Sequence, residues 1–309
     1  MPAPTSVASP VRTFVNDRLG IAMSDREEEQ LNVDIPLAVD PLDQFNLRQR
    51  LVDGALSGAS PTAWDTYLVR AGDIPPAGFA RDALAAARQT AEAFSMALVT
   101  DAADLGIPDL ARRPMDAVAL AVRTTIEVPE VGPLVIEGEI DGVVRGDGVA
   151  ALVDVRASTI TDEHRLRAMV NLVLAAHMEP TTTWVSLLYR HEKSDAVCEQ
   201  IRLRPDADVA DLVTLIIDRH QRALCTPLPF FAGVAAATAA NNHKACAAAW
   251  NGNRVRPGER GRPWNQLFFD IDLDELLALP ALHDEIAQVY LPLIDAVDVT
   301  ARTGTEVTQ

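Results

Sequence analysis

The chain has 309 residues, 48% of them hydrophobic, which is enough to bury the core of one large domain or two modest ones. Its formal net charge is −17, which argues against a general binder of duplex DNA, because affinity for phosphate comes from lysine and arginine. No apolar run reaches the roughly 18–20 residues of a membrane span, and the first residues lack the apolar segment of a secretion signal. These features predict a cytoplasmic protein that does not bind membranes.

The charge is distributed unevenly along the chain. Residues 1–140 hold 11 basic and 21 acidic residues, and residues 265–309 hold 1 and 9. The middle segment, residues 141–264, holds 15 basic and 14 acidic residues and has no acidic excess. A nucleic-acid surface is therefore expected in this middle segment, while the acidic ends are expected to face solvent or protein partners.

Residues 1–114 predict a helical region. Apolar residues recur at helical spacing, and serine–proline pairs and glycines are typical of helix starts and ends. The expected helices cover approximately 9–20, 42–56, 60–68 and 79–99. Residues 104–114 are expected to form a linker to the rest of the chain.

Residues 115–309 predict an α/β domain with C-terminal helices, because the period of the apolar residues changes near Met115. The expected strands cover 116–128, 133–144, 149–156, 184–192 and 196–204. The expected helices begin near Thr161 and Asp208 and also cover 233–250 and 272–297, followed by a frayed end. Helices, three antiparallel strands, a helix and further strands form the order of a restriction-endonuclease-like core, here in degenerate form, behind an N-terminal helical region.

Two carboxylates and a cation form the candidate site. Asp141 lies at the end of one predicted strand, and Asp154 and Arg156 lie on the next, while Glu139 is expected to face the other side of its strand. In a metal-dependent nuclease such carboxylates hold Mg²⁺, which activates water and neutralises charge on the scissile phosphate. Arg156 stands where lysine is expected; it stays protonated and can grip a phosphate, but it is a poor helper for a nucleophilic water. The site is therefore a salt-bridged remnant, a phosphate-binding site that does not cut, or an active nuclease.

Two groups of basic residues are candidates for contact with nucleic acid. Arg165 and Arg167 lie at the start of the helix that follows the third strand. A loop rich in glycine and proline carries the other group, which consists of Arg254, Arg256, Arg260 and Arg262 followed by Trp264. Arginine for phosphate and an aromatic ring for base stacking are typical of single-strand channels. The alternative is a solvated loop whose tryptophan belongs to the core.

The sequence lacks the motifs of several other kinds of enzyme and metal site. No GxxxxGK[ST] loop is present, so the chain is not expected to hydrolyse ATP. The six histidines lack HExxH spacing, and no serine or cysteine occupies a GxSxG turn, which excludes the common hydrolase arrangements. The three cysteines lack CxxC spacing and predict buried thiols in a reducing compartment.

Several segments in a fixed order resemble the C-terminal third of the RecC family, the gamma subunit of exodeoxyribonuclease V. They read SPVRTFVNDRLGI, IPLAVDPLDQFNLRQRLVDGALSG with GDIPPAGF, VDVRAS with HRLRAMVNLVLAAH, CTPLPFF, and KACAAAWNG with RPGERGRPWNQLFF. The resemblance implies a nuclease-like domain that does not cut, acts as a scaffold for RecB-like and RecD-like motor subunits and guides single-stranded DNA during double-strand-break repair, with no cofactor. The alternatives are an active exonuclease that uses Mg²⁺ at Asp141 and Asp154, and a protein-interaction module without DNA contact.

Overall fold

The computed structural model describes residues 3–23, 41–57, 68, 81–112, 118–128, 132–192, 195–252 and 258–303. The strands are β1 Val118–Val128, β2 Gly132–Arg145, β3 Val149–Arg156, β4 Thr183–Glu192, β5 Asp195–Leu203 and β6 Val297–Thr303. The α-helices are α1 Ala3–Ala8, α2 Pro10–Thr13, α3 Pro41–Leu56, α4 Arg81–Leu105, α5 Pro108–Arg112, α6 Asp162–Met178, α7 Val209–Cys225, α8 Ala232–Ala239, α9 His243–Asn251, α10 Pro263–Gln266, α11 Leu273–Leu277, α12 Pro280–Glu285 and α13 Leu291–Asp295.

The six strands form one mixed sheet in the order of the chain. All neighbouring strands are antiparallel except β3 and β4, which are parallel because α6 carries the chain back across the sheet between them. β1 and β2 pair along most of their length, whereas β2 pairs with β3 only from Val143 to Arg145. The part of β2 that precedes Val143 is thus free of β3.

Helices cover both faces of the sheet. Successive residues of a strand point to opposite faces, and in β3 Leu152 and Ala151 belong to two different clusters of buried apolar residues. The Leu152 cluster includes residues of α1, α2, α6 and α7, and the Ala151 cluster includes residues of α3 and α4. Helices of both predicted segments therefore pack on the same sheet, and the division of the chain at residue 114 stays a prediction.

The five predicted strands and the helix between the third and fourth strands are confirmed. The tail differs from the expectation of one helix over 272–297 with a frayed end. It forms the short helices α11 and α12, which are separated just before Pro280, then a π-helical turn over Ile286–Tyr290 and α13, and the chain then pairs with β5 as β6. Val297, Val299 and Ala301 alternate with polar residues, so a strand pattern was present in the segment that was expected to be frayed.

Two further helical predictions need correction. Residues 233–250 form two helices, because Asn241 adopts a φ of 52° and Asn242 caps the second. The expected linker over 104–114 contains the end of α4 and all of α5, with Gly106 at a φ of 68° between them. The helix expected over 60–68 lies outside the described residues except for Leu68.

Two expectations remain, which concern the burial of the cysteines and helices that could span a membrane. Cys198 and Cys246 are buried as predicted, but Cys225 is exposed at the end of α7. None of the described helices is both long enough and apolar enough to cross a membrane.

Candidate functional site

A β-bulge in β2 places Asp141. The pairing of β1 with β2 shifts between Val118, which faces Val143, and Leu120, which faces Ile140. β2 therefore has one residue more than β1 across this step, and the extra residue turns the strand. The bulge lies next to the point at which the pairing between β2 and β3 ends.

Gly142 makes this bulge possible. Its φ is 79°, a conformation that favours glycine. A Cβ atom at this position would lie 2.4 Å from the carbonyl oxygen of Val153, so the close approach of β2 to β3 also requires glycine. Beyond this contact the two strands separate, and a cavity opens between them.

The cavity has a volume of about 600 Å³ and is open to solvent on one side. Its lining includes all three residues of the predicted nuclease centre, Asp141, Asp154 and Arg156. It also includes polar and charged side chains from α3, β2 and α6, which are Gln49, Asp53, Glu139, His164, Arg167 and Asn171. The sequence prediction that the two carboxylates and the arginine meet at one site is therefore consistent with the cavity.

Arg156 is already paired inside this site. Its Nε donates a hydrogen bond to Oδ2 of Asp154 at 3.0 Å, because the two residues lie on the same face of β3. The Gln49 side chain holds the backbone on either side of Arg156. Its amide donates to the carbonyl of Val155 at 3.2 Å and accepts from the N–H of Ala157 at 2.8 Å. The arginine is thus held against the carboxylate that a nuclease would use to bind metal.

The donor set fits a metal ion poorly. Among the described residues, no three His, Cys, Asp or Glu side chains come together closely enough to hold one. Asp141 and Asp154 are two of the oxygen donors that Mg²⁺ prefers, but the third position carries a guanidinium, which cannot act as a ligand.

His164 is neutral in this site. Burial, with the positive charges of Arg156 and Arg167 nearby, lowers its pKa to about 4. Its Nδ1 accepts a hydrogen bond from the backbone N–H of Thr161 at 3.1 Å, which assigns the ring proton to Nε2. At neutral pH the imidazole therefore adds no charge to the cavity.

The strand side of the cavity is more acidic than predicted. Glu139, which was expected to face away, lines the cavity near the bulge. Asp53 of α3 also lines it, and burial raises the pKa of this carboxyl although Gln49 donates to it at 2.9 Å. Sequence patterns did not indicate Gln49 and Asp53, because only tertiary packing brings α3 to a strand about 100 residues later in the chain.

On the helix side of the cavity, Arg167 connects the lining to a group of charged side chains that lie outside it. Glu163 accepts from Nη1 of Arg262 at 2.8 Å and lies 3.4 Å from Nη2 of Arg167. Burial alone would raise the pKa of Glu163, but these guanidiniums, Arg262 above all, hold it below its usual range. The guanidinium carbons of Arg12 and Arg262 lie 5.0 and 5.8 Å from the centre of the Trp264 ring.

Of the two alternatives for Trp264, base stacking or a place in the core, the burial of the residue favours the core. The residue is only 1% exposed, so its ring belongs to the core and is covered by arginines. Arg165 is occupied by Glu199 and Asp162, and Arg260 by Asp270. Arg254 and Arg256 lie outside the described residues, and a contact of any of these arginines with DNA stays a prediction.

Comparison with known proteins gives one result for most of the chain. A family model described as "RecC C-terminal domain" matches residues 5–243, which include the sheet through β5, the cavity and helices α1 to α8. No curated protein matches the chain at a significant level.

Proposed function

The chain belongs to the RecC C-terminal domain family, and on this premise we propose that it is a non-catalytic scaffold and strand-guiding domain. Membership in the family implies a role as a subunit of a RecBCD complex, with RecB and RecD as partners, in DNA repair and recombination. In the proposed role, the domain supports the partner subunits and directs DNA strands, while the cutting of DNA takes place elsewhere in the complex.

The order of the elements supports the proposal of a degenerate restriction-endonuclease-like core. Three antiparallel strands, β1 to β3, are followed by helix α6 and by β4, which is parallel to β3. Asp141 and Asp154 lie where two of these strands separate, the place expected for the carboxylates of such a core. In this proposal the carboxylates reflect the ancestry of the fold.

The ion pair between Arg156 and Asp154 carries the proposal of a non-catalytic site. A metal-dependent nuclease needs the carboxylate free to bind a cation that activates water. Here the guanidinium of Arg156 is paired with that carboxylate. The proposal therefore includes no metal cofactor.

A nuclease assay tests this part of the proposal. The purified chain is incubated with linear DNA and Mg²⁺ or Mn²⁺, and we expect no release of acid-soluble nucleotides from the wild type or from Asp154→Ala. Asp270→Ala is the matched control, since this carboxylate also pairs with an arginine but lies on the surface. Release by the wild type and the control that is abolished in Asp154→Ala would identify an active metal-dependent exonuclease instead.

A binding assay tests the guiding of strands. If the basic loop contacts DNA, the double variant Arg256→Ala with Arg260→Ala should bind a labelled single strand more weakly. The dependence of its affinity on salt should also flatten by about 0.7 for each phosphate that the variant no longer neutralises. An unchanged slope, together with intact binding to RecB and RecD, would favour a protein-interaction module without DNA contact.

A further inference from the structure

We propose that the cavity between β2 and β3 binds a linear polyamine, a flexible chain of methylene groups that carries several ammonium groups. Carboxylates of the lining hold the ammonium groups, and apolar side chains of the lining contact the methylene groups. This site goes beyond the proposed function, because it depends neither on contact with DNA nor on the absence of nuclease activity.

The lining of the cavity has more carboxylates than basic partners for them. Arg156 pairs with Asp154, and Arg167 lies 3.4 Å from Glu163, which is itself outside the lining. The carboxylates of the lining that have no ion pair among the described residues are Asp53, Glu139 and Asp141. Three negative charges from α3 and β2 therefore face the cavity after the described ion pairs are counted.

Basic side chains beyond the lining do not cancel these charges. Arg262 donates to Glu163 and also acts on Glu259, and Arg12 lies near Asp17. These two arginines thus have acidic neighbours of their own and do not line the cavity. In a chain with a formal net charge of −17, a polycation is also attracted from a distance.

Asp53 is a half-buried carboxyl group that no basic side chain balances. Burial raises its pKa, and the hydrogen bond from Gln49 is the interaction that opposes this rise. Charged groups that are taken out of water are normally paired, and a cation nearby favours the charged form of a carboxyl group. An ammonium group in the cavity supplies such a partner.

Ser186 adds a buried polar group that is directed at the same space. It pairs with Leu152 of β3, and both residues line the cavity from the same face of the sheet. Ser186 is 2% exposed, and its hydroxyl has no hydrogen-bond partner among the described residues. Because an unsatisfied buried hydroxyl costs free energy, a donor from the ligand is favourable here, and an ammonium group has N–H donors to offer.

The spacing of the carboxylates favours an organic polycation over a metal ion. A metal ion needs its ligands within one coordination sphere, and no three suitable side chains of the described residues come together in this way. Ammonium groups on one flexible chain can instead reach carboxylates that lie apart. Ile140, Leu152 and Leu188 provide apolar surface for the methylene groups, and a volume of about 600 Å³ is within the range of small-molecule sites.

Isothermal titration calorimetry of the purified chain with spermidine tests the inference. The wild type should bind one spermidine, and Asp53→Asn and Asp141→Asn should each bind it about tenfold more weakly. Asp53→Asn keeps the oxygen that accepts from Gln49. Asp147→Asn is the matched control, because it removes the same charge from an exposed turn outside the lining and should bind like the wild type.

Ser186→Ala protects the test from a general effect of charge. The change leaves every carboxylate in place and removes a hydroxyl that has no described partner. It should weaken spermidine binding about threefold while thermal unfolding of the free protein stays unchanged. Equal spermidine affinities in the wild type and in all four variants would identify attraction to the net charge alone and overturn the inference.

The choice of probe distinguishes the possible cations at constant ionic strength. Spermidine should bind more tightly than the diamine putrescine, and both more tightly than Mg²⁺. Mg²⁺ that binds as tightly as spermidine and is lost in the same variants would identify a metal site. A tetralysine peptide that binds at these carboxylates when spermidine does not would identify a docking site for lysines of a partner protein. Either result, or the absence of spermidine binding to the wild type, would overturn the inference and leave the proposed function untouched.

Discussion

Arg165 and Arg167 lie two residues apart on α6, yet they belong to two groups of charged side chains that differ in how tightly carboxylates hold the arginines. Arg165 donates from Nε and Nη2 to both oxygens of Glu199, at 2.7 and 2.9 Å, and from Nη1 to Asp162 at 2.7 Å. Arg190 donates to the same Glu199. In this group, here called the closed network, the arginines are matched by carboxylates, and Glu199 is only 4% exposed.

The group around Glu163 is looser. Arg167 lies 3.4 Å from this carboxylate, Arg262 donates to it at 2.8 Å, and Asp154 and Glu259 lie near enough to Arg167 and Arg262 to act on their charges. Each group keeps one buried guanidinium Nε without a hydrogen-bond partner among the described residues, that of Arg190 in the closed network and that of Arg167 here. The two groups therefore differ in how tightly one carboxylate holds its arginines, and the loss of Glu199 should cost more stability than the loss of Glu163.

The largest expected effect compares the two carboxylates. Glu199→Gln should lower the free energy of unfolding by about 3 kcal/mol, because it leaves Arg165 and Arg190 close together without their shared charge. Glu163→Gln should cost less, about 1–2 kcal/mol, because Arg167 lies 3.4 Å from this carboxylate and Asp154 and Glu259 remain near the two guanidiniums. Urea denaturation at pH 7 measures both values.

Equal losses of stability in these two variants would contradict the distinction between the groups. The comparison needs no assumption about the ligand, since both changes replace a charged oxygen by an amide of the same shape.

Local patterns in the sequence were sufficient for much of the fold. Alternation and turn residues predicted β1 to β5, and the spacing along β2 and β3 placed Asp141, Asp154 and Arg156 at one site. The edge strand β6 was missed although Val297, Val299 and Ala301 alternate with polar residues, because the pattern is short and lies near the end of the chain, and only the pairing with β5 shows that it forms a strand.

The partners of the charged side chains could not be predicted in the same way. Arg165 and Arg167 have the same residue type and nearly the same position, and the sequence suggested the same role for both. Their difference arises from Glu199 on β5 and from Arg262 about 100 residues away, which only the packed structure brings near. Gln49 is a further residue of this kind, because its contact with β3 depends on how α3 packs.

A second, somewhat smaller effect concerns the β-bulge in β2, next to which the cavity opens. Gly142→Ala should cost about 2–3 kcal/mol of unfolding free energy, since the new methyl group meets the carbonyl of Val153 at a positive φ. Gly148→Ala is the matched control. Its φ of 71° is similar but nothing lies within 4 Å of the added atom, so the cost should be about 1 kcal/mol. Thermal or urea unfolding gives the difference.

The smallest expected effect is a change in the pKa of His164, which responds to the positive charges of Arg156 and Arg167. Its pKa of about 4 in the folded protein lies below the ordinary value of 6.5. Between these pH values the unfolded chain binds a proton that the native ring does not, so this residue makes the protein less stable as pH falls from 6.5 towards 4. Arg156→Gln should raise the pKa of His164 by about half a unit to one unit, because it removes a neighbouring cation and frees Asp154. Histidine NMR resonances followed against pH measure the change.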